Sequence, residues 1–173
     1  MAETFQEYVA RILSYVEGRE PRVILTKTPA ALERRIARVS RRRLTARPRP
    51  GKWSAREILA HLSETELLWG CRMRLILGQN GVPLVGMDQD VWARRYRSVD
   101  PRRALATFIA IRRANLELLR HLRGEDLECW GVHSQFGRLT VPRILALIAG
   151  HDINHTRQID AILAKRKTGR GRR

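Results

Sequence analysis

The stretch "GHDINHTRQID" places His151 and His155 one helical turn apart, with Gln158 most of a further turn along the same face. Two imidazoles at i and i+4 on one helix bring their ring nitrogens close enough to share a metal ion. A helix that only packed a core would carry Leu or Ile there. The other histidines are His61, His121 and His133. His61, in "SAREILAHLSETELLW", lies on the face that carries Ile58, Thr65 and Leu68, with Glu57 and Glu64 at its edge. A third imidazole from such a facing helix would make a three-nitrogen site with an open coordination position. That is the arrangement of a catalytic or substrate-binding metal, because a closed structural site wants a fourth protein ligand. Imidazoles suit Zn, Ni, Fe or Cu, and spacing alone does not choose among them. The competing reading is plainer: inward histidines are often hydrogen-bonded core residues, and His-x-x-x-His pairs arise by chance.

The pair is not a metalloprotease HExxH. Asp152 stands where the Glu would be, its shorter chain reaches less far, and no third ligand follows downstream. Asp152 is better suited to orienting a His or pairing with an Arg. Glu64, three residues after His61, and Gln158, three after His155, are the further candidates for fixing a ligand or touching substrate. Each also has a bland alternative, a solvated helix-face acid for Glu64 and a hydrogen bond to a loop for Gln158. His133, in "GVHSQFG", is placed to reach the mouth of such a site or to make a structural hydrogen bond. His121, near a helix end, complements the helix dipole. Trp53, Trp69, Trp92 and Trp130 read first as core or lid packing.

Long apolar-periodic segments separated by loops must position these residues. A first helix covers about Thr4 to Val16, with Phe5, Val9, Ile12 and Val16 at helical spacing. A second is expected from Pro29 to about Arg42, with Thr28 as its N-cap. The third has the clearest start: Ser54 caps it, Glu57 completes a capping box, and Trp53 precedes the cap, able to staple onto Ile58 or a neighbouring helix. It runs to about Leu77. A long link follows in which "DQDVWARRY" can form a short helix. The fourth begins with Asp100 as cap and Pro101 at its first position and runs to about Leu122. "CWGVHSQFGRLT" reads as loop or a short hairpin. The last helix starts at Thr140 and continues to about Lys165. With no strong strand alternation, the expectation is an all-α domain, a four-helix bundle with an additional N-terminal helix.

The chain has 173 residues, the size of one domain. A single domain is expected over residues 1–165, followed by a basic tail, 166–173, expected to be disordered. No segment resembles a signal peptide and no apolar run is long enough for a membrane span, so a cytoplasmic protein with no membrane partner is expected. Cys71 and Cys129 belong to no CxxC pattern and read as reduced thiols, Cys71 partly buried in a helix. The 34 Lys and Arg against 17 Asp and Glu give a net charge of +17. Such a chain attracts polyanions in a salt-sensitive way. Its basic residues are not interleaved with aromatics and form no zinc-finger, RRM or helix-turn-helix signature, so nucleic-acid contact is expected to be non-specific.

Taken together and in order, "GKWSAREILAHLSETELLW", "DQDVWARRY", "GVHSQFGRLTV" and "GHDINHTRQID" resemble the DinB-like superfamily, specifically its DinB_2, or YfiT-like metalloenzyme, branch. The similarity covers roughly Pro29 to Leu163. It implies an up-down-down-up four-helix bundle, often a homodimer, holding a divalent metal through His61, His151 and His155. Nickel or zinc is implied first, Mn or Fe next. The family's chemistry implies an enzyme acting on a small-molecule substrate, either a thiol-dependent S-transferase using a low-molecular-weight thiol or a metal-assisted hydrolase. The alternative from another class is a non-catalytic, stress-associated binding protein whose basic surface meets nucleic acid.

Overall fold

The computed structural model describes residues 3–164. The expected basic tail and the expected helix end at Lys165 lie outside the described residues. The elements follow in the order α1 (Phe5–Ser14), α2 (Pro21–Ile36), α3 (Arg41–Thr45), α4 (Ala55–Gly78), β1 (Val82–Leu84), α5 (Gln89–Tyr96), α6 (Pro101–Arg120), α7 (Gly124–Leu127), β2 (Trp130–His133), β3 (Gly137–Thr140) and α8 (Val141–Ala164). Helices α2, α4, α6 and α8 form the bundle, with α4 packed on α6 and α8, and α2 packed on the same two.

Cross-helix contacts give the directions. Arg112 of α6 reaches both Leu25 of α2 and Asp152 of α8, while Arg35 pairs with Asp160 a few turns further on, so α2 and α8 run parallel. Arg102 donates to the carbonyls of Ala37 and Val39 just beyond α2, so α6 runs opposite to α2. His61 meets His151 and Trp53 stacks on His155, which makes α4 antiparallel to α8. The result is up-down-down-up. Parallel neighbours α4 and α6 need a return connection, and residues 79–100, with β1 and α5, supply it.

The start signals hold where the sequence shows them plainly. Ser54 and Glu57 form the capping box of α4, and Asp100 accepts from the Arg102 and Arg103 N–H groups at the start of α6. Thr140 accepts from Arg143 N at 3.3 Å at the head of α8. The second helix departs from the expectation. It begins at Pro21, capped by Glu20, and Thr28 is a buried mid-helix residue whose hydroxyl donates to the Ile24 carbonyl. Pro29 therefore sits inside α2, where its missing N–H leaves the Leu25 carbonyl without a helical donor. Arg112 Nη1 donates to that carbonyl at 3.1 Å. The helix tolerates its proline because a neighbouring helix supplies the missing donor.

Strands also exceed the expectation. The segment read as loop or hairpin is a hairpin of β2 and β3, turning through Gly137 at φ +66. β1, too short to show alternation, pairs parallel with β2, Val82 opposite Gly131 and Leu84 opposite His133. This small sheet carries His133 to the bundle. Cys71 is exposed rather than partly buried. No helix among the described residues is long and apolar enough to cross a membrane.

The apolar core forms two clusters. One gathers Leu25, Trp69, Met73, Ile76, Ile144, Leu145 and Ile148, the other Leu32, Ile36, Ile58, Leu62, Phe108 and Ile159. Between them lies a buried polar belt: Thr28 of α2, Glu66 of α4, Arg112 and Asn115 of α6, and Asp152 of α8. Helix α1 closes over α8 at Gly150, where a Cβ would overlap the Ile12 backbone carbonyl. Arg11 secures the contact by donating to Asn154 Oδ1 at 2.8 Å.

Two stability outcomes follow from this packing. Gly150→Ala forces α1 off α8, and the overlap exceeds the gain in helix propensity, so urea unfolding should show a loss of about 2 kcal/mol. Glu57 is the second case. Burial pushes its carboxyl up, but hydrogen bonds from Arg47 and Ser54 outweigh that and bring it down from 4.5 to about 2. A lowered folded-state pKa contributes stability that is complete above about pH 4.5 and is lost as pH falls toward 2. Glu57→Gln should therefore cost about 2 kcal/mol at pH 7, allowing for solvent screening at the partly exposed Arg47, and flatten the acid limb of the stability profile.

Candidate metal centre

His61 comes from the second turn of α4, whose direction the Ser54–Glu57 box sets, and His151 and His155 from the middle of α8. Their candidate ligand nitrogens all lie within 4.8 Å of one another. Nε2 of His61 and Nε2 of His151 are 2.9 Å apart, and the His151 and His155 rings stand edge to face at 4.3 Å between centroids. His61 and His155 are buried, while His151 keeps partial access to one cleft.

The electrostatics keep all three imidazoles neutral. Burial holds His61 well below its ordinary 6.5, and the neighbouring His155 adds to the effect. Burial does the same to His151, reinforced by His155, His61 and Arg112. His155 is brought down to about 4 by burial, partly opposed by its bond to Gln158. Each ring thus offers a lone pair at neutral pH, which metal ligation requires. Gln158 Oε1 lies 2.9 Å from His155 Nδ1, so that nitrogen carries the proton and Nε2 keeps the lone pair. Trp53 packs 4.9 Å from the His61 ring centroid and stacks on His155 at 6.4 Å. Tyr96 packs beside Trp53, its ring 6.0 Å from His61 and 5.7 Å from Trp53 between centroids. Among the described residues no carboxylate joins the cluster. Three neutral nitrogen donors fit a borderline divalent ion such as zinc or nickel better than an oxygen-seeking one.

Two clefts open onto the site. One, of about 780 Å³, has His61 and His151 in its wall and extends past Thr65 and Trp69 to Arg72 and His133. The other, of about 630 Å³, reaches His155 and Gln158 between Trp53 and Arg11. Glu3, Tyr8, Gln89 and Asp90 line both, so α1 and α5 frame a common mouth.

The remaining candidates separate. Gln158 touches a histidine of the cluster. His133 lines the larger cleft but lies with Arg72, away from the three imidazoles. Glu64 is exposed and lines neither cleft. Asp152 faces away from the cluster, paired with Arg112 at 2.7 Å and fully inside the polar belt, where burial raises its pKa. His121 is exposed beside Glu117. Sequence reading missed Glu66, Arg112 and Arg72. Glu66 and Arg112 fall on the inner stripes of α4 and α6, between Leu62 and Trp69 and between Phe108 and Leu119. A charge on an apolar stripe was the available signal.

A three-imidazole cluster able to hold a metal ion, in the middle of an up-down-down-up helical bundle, defines the class of protein. The family model described as DinB superfamily matches residues 24–159, and the chain belongs to that superfamily. Among curated proteins it is similar to one from Oceanobacillus iheyensis named "Putative metal-dependent hydrolase OB0782", 24% identical over 140 residues, 80% of this chain and 81% of the relative. Among solved structures it superposes on YfiT from Bacillus subtilis, described as "a probable metal-dependent hydrolase with an unusual four-helix bundle topology". The TM-score is 0.78 and identity 21%, over 84% of this chain and 85% of the other.

Gln158→Ala should weaken zinc or nickel binding by about 10- to 100-fold by competitive chelator titration while leaving one ion per chain at saturation. Glu64→Ala should leave the affinity unchanged.

Proposed function

We propose that this chain is a divalent-metal-dependent hydrolase acting on a small molecule that enters the cleft beside His61 and His151. The observation that carries the reading is the convergence of three neutral, buried imidazoles on one open-sided point in the wall of a cavity large enough for a metabolite-sized ligand. Relatives named as metal-dependent hydrolases support it. His61, His151 and His155 hold the ion, zinc or nickel by the chemistry of the donors. When bound, a divalent ion there supplies Lewis acidity and a nucleophile available at neutral pH.

The protein's own residues do the rest. Gln158 keeps His155 in the tautomer that leaves Nε2 free. Trp53 and Tyr96 pack beside the His61 ring. The mouth residues Tyr8 and Gln89 meet the substrate as it enters. Among the described residues no carboxylate lies among the imidazoles to serve as a general base, so a proton released during hydrolysis leaves toward the cleft and its solvent.

The test is reconstitution of the full-length protein with Zn, Ni or Mn, metal analysis, and assay on a panel of small esters, amides and lactones. One ion per chain is expected, lost in His151→Ala together with a fall in turnover of about 10³-fold or more. Failure of all three metals to load stoichiometrically would overturn the reading. Turnover that requires an added low-molecular-weight thiol would replace hydrolysis with thiol transfer at the same centre.

A further inference from the structure

The far end of the larger cleft holds a second arrangement of polar groups, for which the metal centre has no use. Arg72 is 4% exposed, lies over the Trp69 ring at 4.5 Å, and has no carboxylate partner among the described residues. Its Nη2 donates to the Val85 carbonyl at 2.6 Å and approaches His133 Nε2 at 2.9 Å, while its Nε is buried with no hydrogen-bond partner. Burial without a counter-charge lowers its pKa to about 10, so it stays charged at neutral pH.

His133 is short of lone pairs. Its Nδ1 faces the backbone N–H of Gln135 at 3.1 Å and of Phe136 at 3.4 Å, while Nε2 faces the Arg72 guanidinium. Burial and the Arg72 charge disfavour its protonated form, so the ring is neutral and has one lone pair. Three N–H donors compete for it, and whichever tautomer forms, a donor points at a donor. Among the described residues, Arg72 and His133 therefore meet more N–H donors than acceptors, the Arg72 Nε among them buried, together with a positive charge that has no carboxylate partner. Buried polar groups are normally satisfied, and a donor excess of this kind calls for an acceptor supplied from outside. The acids that line the same cleft do not supply it: Glu3 is bound to Arg11, and Asp88 and Asp90 are exposed at the head of α5.

We infer that Arg72 and His133 form an oxyanion-binding subsite, so that the substrate of this protein carries a carboxylate or phosphate at the end remote from the metal centre. A planar guanidinium with free N–H groups suits either anion. His61 and Arg72 are eleven residues apart on α4, three turns and nearly the same face, with a rise of about 16 Å. An extended small molecule can therefore place its anionic group on Arg72 and its reacting bond at the imidazoles. This inference rests on the cleft being the substrate site of the proposed hydrolase.

The test uses metal-free full-length protein at physiological salt, titrated calorimetrically with inorganic phosphate and with glutarate. Saturable 1:1 binding of at least one is expected, weakened by about tenfold or more in Arg72→Gln and unchanged in Arg143→Gln, a loss of charge at an exposed arginine outside the cleft. Arg72→Lys keeps the charge but not the fork. It should retain phosphate binding better than glutarate binding, and it gives a reading where Gln disturbs the fold. Preference for phosphate points to a phosphorylated substrate and preference for glutarate to a carboxylate. Equal affinity in the wild type and both Arg72 variants, or no saturable binding to the wild type, would overturn the subsite. Because neither metal nor turnover enters the measurement, binding without hydrolysis overturns only the hydrolase, and hydrolysis indifferent to Arg72 overturns only the subsite.

Discussion

Arg112 is the interaction around which this bundle is arranged. Its guanidinium, 1% exposed, makes five hydrogen bonds: Nε and Nη2 to the two oxygens of Glu66, Nη1 and Nη2 to the two of Asp152, and Nη1 to the Leu25 carbonyl. One side chain of α6 thereby ties together α4, α8 and α2. Such a buried network is weak evidence for net stability, since desolvation offsets much of the attraction. Its effect is on register. Sliding any helix by one turn would leave a charge or a proline-orphaned carbonyl unpaired in an apolar core, at a cost of several kcal/mol. The same register sets His61 opposite His151 and His155, so the candidate metal site inherits its alignment from a salt-bridge belt whose groups do not join it.

Two buried arginines with opposite hydrogen-bond accounts mark the division between structure and function. Arg112 is matched by two carboxylates and a carbonyl. Arg72 has one carbonyl, an aromatic face and a histidine with no spare lone pair. Both are anchored in bundle helices, and both are almost inaccessible. The first is complete within the protein; the second faces a cavity that also has His61 and His151 in its wall. The unmatched Arg72 donors beside that cleft are the basis for proposing an oxyanion there.

The peripheral elements add walls without altering the bundle. α1 lies on α8 because Gly150 lets the backbone approach, and with α5 it frames the mouth of both clefts. The three-stranded sheet fills the space at one end of the long α4–α6 connection and brings His133 to Arg72 from a segment sixty residues distant in sequence. Exposed Arg49 and Lys52 bring part of the basic exterior to the rim of the smaller cleft, while the groups in the wall of the larger one include the buried His61, Arg72 and His133.

The long bundle helices, apart from the bounds of α2, and the three converging histidines were legible from local chemistry. Ser54 with Glu57, and Asp100 with Pro101, are end signals that act within one turn, so tertiary context has little to change. His61, His151 and His155 stood out because imidazoles replaced aliphatic residues on inward faces. The start of α2 was not legible: Pro29 reads locally as a helix beginning, and only Arg112, eighty-three residues away, makes it a helix interior. β1 was hidden by being three residues long, with a partner nearly fifty residues downstream. Asp152 and Glu64 sit beside histidines in the chain yet point elsewhere, because at 100° per residue a near neighbour in sequence faces another direction on the helix. Composition and periodicity determined by themselves that this chain forms long amphipathic helices with inward-facing histidines. Tertiary structure alone decided which buried charges are matched and which are left for a ligand, since hydrogen-bond satisfaction is a property of the whole packed interior and is written in no single segment.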